Sequence, residues 1–187
     1  MTNPVQQARL NRLFDMYDPT HDGYITLEDF TDHAYKLSAM RGHPHDSPAT
    51  RELVDSLKAW WDQMLAADSN HDGRISREEL VAWAMEMQSG YLQQAVSAGA
   101  PWPLDPWIES LYKLIDANGD NHITLQEYRD WLTAAGIAHD MDVEAAFHGF
   151  DKNRHGYLSL DEFREVSRQW WMNFDPTTPG HRWIGPG

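Results

Sequence analysis

The chain reads as all-α, built from four helix-loop-helix units taken in two consecutive pairs. Three observations predict this. Twelve-residue acidic segments recur at 18–29, 68–79, 116–127 and 151–162. Apolar residues at helical spacing flank each of them. Each segment also ends in the signature of a helix start, Thr or Ser followed three residues later by Asp or Glu. Among 187 residues, 41% are hydrophobic and nine are tryptophan, which is enough apolar material to fill a core.

Taken in order, Asn3 before Pro4 places a capping side chain ahead of a proline suited to the first helical position. Phe14 and Tyr17 carry that helix to the first segment, DPTHDGYITLED, and Phe30 continues the helix leaving it. After a linker at about 42–47, Ser47-Pro48 repeats the opening signal, and Met64 and Ala67 lead into DSNHDGRISREE, followed by Leu80. A second linker, at about 97–104, precedes Asp105-Pro106, a third such opening; Leu111 and Ile115 lead to DANGDNHITLQE, followed by Tyr128. Phe147 and Phe150 lead to DKNRHGYLSLDE, followed by Phe163. The first pair is thus expected within residues 1–96 and the second within 104–172, with 173–187 as a tail packing on the body.

All four segments fit the EF-hand loop, whose oxygen ligands come from positions 1, 3, 5, 7 and 9, with an acid at 12 and glycine at 6. Calcium is a hard cation that takes about six to eight oxygens at roughly 2.3–2.6 Å, and a short loop can wrap it only by turning alternate side chains inward. Position 6 turns sharply: Gly23, Gly73 and Gly156 do so freely, and Asn121 is the next most tolerant residue. Position 8 is apolar in each copy (Ile25, Ile75, Ile123, Leu158) and is expected to form a short strand pair between neighbouring loops.

The ligand sets differ. The second loop offers Asp68, Asn70, Asp72, the Arg74 carbonyl, Ser76 and a bidentate Glu79; the third offers Asp116, Asn118, Asp120, the His122 carbonyl, Thr124 and Glu127. These are the two strong Ca²⁺ sites expected. The first offers Asp18, Thr20, Asp22, the Tyr24 carbonyl, Thr26 and Asp29, where the shorter position-12 aspartate favours six-coordinate Mg²⁺ or weaker Ca²⁺. The fourth has Asp151, Asn153, the Tyr157 carbonyl, Ser159 and Glu162, but His155 stands at position 5 and an imidazole is a poor ligand for a hard ion. Up to four ions are expected; four Ca²⁺ would bring the net charge of −14 to −6.

With these loops the chain resembles the four-EF-hand calcium-binding proteins of the calerythrin and sarcoplasmic calcium-binding type, a scaffold shared with calcium-regulated photoproteins. The likeness is greatest in the last pair and tail, where Trp171 and then Asp175-Pro176 precede a Gly-containing terminus. It implies one compact globule whose halves pack face to face, and calcium buffering or signalling in the cytosol. Photoproteins carry histidine where this chain has Ser167 and tyrosine near Trp183, which argues against light emission.

Composition excludes other classes. Acids outnumber bases 29 to 15, so nucleic acid and anionic membranes are poor partners. There is no cysteine, ruling out thiolate metal sites and thiol catalysis. Neither a signal sequence nor a membrane span is legible, so a cytoplasmic, monomeric protein is expected. No catalytic constellation emerges; most of the ten histidines, with His21 and His71 at non-ligand position 4, read as solvated. The tryptophans read first as core. The alternatives to a buffer are a Trp- and Met-lined cavity for a flat apolar ligand, and a calcium-triggered sensor that exposes Met16, Met64, Met85 or Met87 to a target helix.

Overall fold

Asn3 caps helix α1 (Pro4–Tyr17) by accepting the Val5 N–H at 2.9 Å, as its position before proline predicts. A computed structural model describes residues 3–185, so the ends of both chain termini (1–2 and 186–187), including the last residues of the expected tail, lie outside it. Strand β1 (Tyr24–Ile25) leads into α2 (Leu27–Met40), and Ser47 then caps α3 (Pro48–Met64) through the Thr50 N–H. Strand β2 (Ile75–Ser76) precedes α4 (Arg77–Met87), which runs through a widened turn at Gln88–Leu92 into α5 (Gln93–Ala98) and stops where Gly99 turns left-handed. The second half comprises α6 (Asp105–Ile115), β3 (Ile123–Thr124), α7 (Leu125–Ala134), α8 (Val143–Phe150), β4 (Tyr157–Leu158) and α9 (Leu160–Met172).

The loops do pair in twos. Strands β1 and β2 are antiparallel with Ile25 opposite Ile75, and β3 and β4 are antiparallel with Ile123 opposite Leu158. All four of these position-8 side chains are fully buried, so each pair of loops is pinned to the core from beneath. The flanking residues Phe14, Tyr17, Phe30, Met64, Leu80, Leu111, Ile115, Tyr128, Phe147, Phe150 and Phe163 are buried as well. Contacts of α2 with α7 and of α3 with α6 join the two halves into one compact all-α globule.

One cap differs from expectation. Asp105 does not close the start of α6; Leu104 occupies the capping position without a side-chain bond. The helix begins one residue early, and the Asp105 carboxylate, already favoured in a first turn by the helix dipole, faces Arg164 and Arg168 at 3.6 and 3.7 Å.

The tail returns along the second half. A single turn at Pro179–Arg182 lies on α8 and α9, and Trp183 and Ile184 are buried beyond it. At Gly180 a Cβ would stand 2.4 Å from the Gln169 Cβ, so only glycine allows this approach. Two arginines of α1 reach across to hold the tail. Arg9, only 2% exposed, donates to the carbonyls of Trp170 at 2.5 Å and Asn173 at 2.7 Å, with His181 Nδ1 at 3.2 Å. Arg12 donates to the carbonyls of Ile184 and Ile137.

Seven tryptophans are buried, and Trp83 and Trp107 are partly so. Both of the latter line a cavity of about 340 Å³ between the halves, together with Tyr17, Trp60, Met64, Met87, Leu104 and Trp171.

Candidate metal centres

Each loop is organised by its position-1 aspartate, which accepts backbone N–H groups from positions 5 and 6. Asp18 takes Asp22 and Gly23; Asp68 takes Asp72 and Gly73; Asp116 takes Asp120 and Asn121; Asp151 takes His155 and Gly156, all at 2.8–3.3 Å. Position 3 adds a turn of its own, as Asn70, Asn118 and Asn153 accept from the position-5 N–H at 2.8, 2.8 and 3.0 Å. Position 5 continues the pattern: Asp22, Asp72 and Asp120 accept from the position-7 N–H, whose carbonyl is the backbone ligand of the pattern.

Position 12 ties the loop shut. In all four loops the position-9 hydroxyl accepts the position-12 N–H, and the position-12 carboxylate accepts the position-9 N–H, a complete capping box. The glutamates reach further. With its other oxygen, Glu79 accepts the Ser69 N–H, Glu127 the Ala117 N–H and Glu162 the Lys152 N–H, at 3.2, 2.9 and 3.2 Å. One carboxylate therefore links the two ends of its loop. The donors around Glu79, led by the Ser76 N–H, hold its pKa down at about 2.

The first loop departs as its sequence suggests, for two reasons. Asp29 is one methylene shorter, and position 2 is Pro19, which has no N–H to offer. Among the described residues the Asp29 carboxylate bonds only to Thr26, and burial, with Asp18 and Asp22 nearby, pushes its pKa up. Thr20 turns its hydroxyl onto Asp18 instead of accepting from position 5. In the fourth loop His155 replaces the position-5 carboxylate, and its ring lies toward Tyr157 with centroids 5.8 Å apart.

Among the described residues, no three acidic or histidine side chains lie together as a ready-made metal cluster. The donor chemistry nonetheless suits a hard cation. The second and third loops each set two aspartates, one asparagine, a backbone carbonyl and a glutamate around one short turn, all oxygen donors. The fourth loop, with imidazole at position 5, fits a hard ion less well.

Two features of the loops escaped the sequence reading. Position 4 is left-handed throughout, with φ of 56° at His21, 60° at His71, 71° at Gly119 and 60° at Arg154. The signal was Gly119: the third loop places glycine at 4 and asparagine at 6, while the others place glycine at 6 only. Position 7 also does more than lend its carbonyl. The Arg74 guanidinium sits 4.3 Å from the Tyr24 ring in one pair of loops, and the His122 and Tyr157 rings meet at a tilt with centroids 3.8 Å apart in the other. Not every histidine is solvated, either. His33 is buried in α2 with its Nε2 unpartnered, and its pKa is pulled down to about 4.

Comparison with known proteins follows the same lines. The model of the EF-hand domain pair family matches residues 7–85 and 105–168. Calerythrin from Saccharopolyspora erythraea is 25% identical over 90% of this chain and 93% of its own length. The sarcoplasmic calcium-binding protein alpha chain of Penaeus vannamei is 24% identical over 91% and 90%. Among solved structures, the coelenterazine-binding protein from Renilla muelleri in its calcium-loaded apo form superposes with a TM-score of 0.76 over both full chains at 20% identity. The amphioxus sarcoplasmic calcium-binding protein does so with 0.71 at 21%, again over both full chains. Four capped loops joined two by two, together with a family model that spans most of the chain, establish that this chain belongs to the EF-hand domain pair family of calcium-binding proteins.

Proposed function

We propose that this chain is a cytoplasmic, monomeric, non-enzymatic Ca²⁺ buffer or signal modulator whose tight sites are the second and third loops. The observation that carries this is a position-12 carboxylate spanning its own loop, from Ser69 to Ser76 under Glu79 and from Ala117 to Thr124 under Glu127, in loops that also keep an aspartate at position 5, which the fourth loop lacks. A bidentate ligand already oriented loses little freedom on binding, which favours affinity. The first loop, with its shorter and less connected Asp29, would bind Mg²⁺ or Ca²⁺ weakly; the fourth would bind weakest. Buffering is favoured over a sensor role by the methionines: Met16 and Met64 are 2% and 5% exposed, and Met85 and Met87 pack on the core.

Calorimetry at physiological Mg²⁺ tests this. Glu79→Gln and Glu127→Gln should each remove one tight Ca²⁺ site, and a hydrophobic-surface dye should bind no better with calcium. An unchanged count of tight sites in both variants refutes the assignment, and dye binding that rises with calcium favours a sensor engaging a target helix.

A second reading, a carrier of an apolar aromatic ligand, is favoured by the cavity between the halves. Trp60, Trp83, Trp107 and Trp171 give it flat aromatic walls, which suit a flat apolar ligand. Native mass spectrometry of the purified protein should then show one retained organic molecule, and bare protein mass would remove this reading.

A further inference from the structure

The third loop is fastened from outside its own half. Arg41, the residue that ends α2, reaches across to the last turn of α6 and donates Nη2 hydrogen bonds to the carbonyls of Leu114 at 2.5 Å and Ile115 at 2.9 Å. These are among the terminal carbonyls that a helix cannot satisfy internally, and they lie immediately before Asp116, position 1 of the third loop. The side chain is half-buried, with its Nε lacking a partner among the described residues, and it lies within the field of Asp116, Glu127 and Asp130.

We infer that Arg41 is a positioning residue for the calcium site of the third loop, fixing the end of α6 so that Asp116 meets the ion without reordering. Two effects of this side chain oppose each other. As a cation beside the loop it repels a second cation, so on charge alone its removal would tighten binding. As a double hydrogen-bond donor to a helix C-terminus it holds the backbone from which the first ligand projects. The second effect dominates here, because both bonds are short and partly buried, where an unmade hydrogen bond to a helix end is costly, whereas the charge acts through the water around an open loop. The α2–α7 contact supplies the rigid base from which Arg41 acts, since α7 is the helix that Glu127 starts. The first half thus completes a site whose ligands all belong to the second.

The inference rests on the third loop being a tight site, and the experiment separates the two claims. In a Glu79→Gln background, calorimetry reads the third loop; in a Glu127→Gln background it reads the second. Arg41→Met should weaken calcium at the third loop about tenfold and at the second less than twofold. Arg41→Lys, whose single ammonium nitrogen keeps the charge and N–H donors, should recover at least a threefold part of the loss. Third-loop affinity unchanged or tightened in Arg41→Met overturns the inference, as does equal weakening of both loops or a lysine that recovers nothing. Absence of any tight site in the Glu79→Gln parent overturns the underlying assignment as well. Thermal unfolding of the calcium-free variants should remain cooperative; a loss of cooperativity confined to Arg41→Met and absent from Arg41→Lys would itself count against a role specific to the site.

Discussion

Replacing Arg9 with methionine tests how the tail and the first helix are held to the second half. The side chain is almost wholly buried and donates to the carbonyls of Trp170 and Asn173, at the end of α9, with His181 of the tail beside it. Methionine fills a similar volume but leaves both carbonyls without a donor. Hydrogen bonds from a charged donor contribute about 1.5–3 kcal/mol each. Burial opposes this, since it holds the guanidinium pKa down at about 10, and methionine escapes that desolvation. The net loss expected is about 3 kcal/mol. For a chain of this size that lowers the melting temperature by roughly 6–12 °C. Far-ultraviolet circular dichroism in saturating calcium at neutral pH would record it, with Arg9→Lys intermediate. A melting temperature within two degrees of the parent, or above it, would show that desolvation outweighs the bonds and refute the reasoning.

Acid should destabilise the protein through His33. Its folded pKa of about 4 lies below the ordinary histidine value, so its contribution is fully present above about pH 6.5 and is lost as pH falls toward 4, up to about 3 kcal/mol. Urea unfolding of the parent should therefore weaken between pH 6.5 and 4.5 more steeply than that of His33→Leu, and equal slopes would remove His33 as the cause. The half-buried His181, whose pKa desolvation and Arg9 also lower, acts in the same direction. Removing calcium with a chelator should lower the melting temperature, because the loop carboxylates repel one another without the ion; an unmoved transition would contradict this.

The loops were legible in the sequence because each ligand position is also a backbone position. Glycine at 6, an apolar residue at 8 and the capping pair at 9 and 12 leave local marks that need no tertiary partner. The weakness of the first loop was visible too, in Asp29, although the part played by Pro19 in removing an N–H emerged only with the hydrogen bonds. What remained hidden depends on distant elements. Arg9 and Arg41 look like surface charges on α1 and α2 until α9 and α6 supply carbonyls for them. Asp105 looks like a cap until Arg164 and Arg168 claim it. His33 carries no sign of burial in a helix that also holds Asp32 and Lys36.

The double duty of positions 9 and 12 constrains how such a chain can be tuned. Any change there alters the stability of a helix start along with the grip on an ion, so divergence between sites has to pass through positions free of that burden. Three of the four repeats follow this division, and the first departs from it by shortening position 12 to Asp29. Thr or Ser at 9 and an acid at 12 recur without exception, while position 3 ranges over Thr20, Asn70, Asn118 and Asn153 and position 5 gives way to His155. Adjusting the strength of one loop by design should begin at those two inner residues, where the chemistry can be altered without touching a helix start.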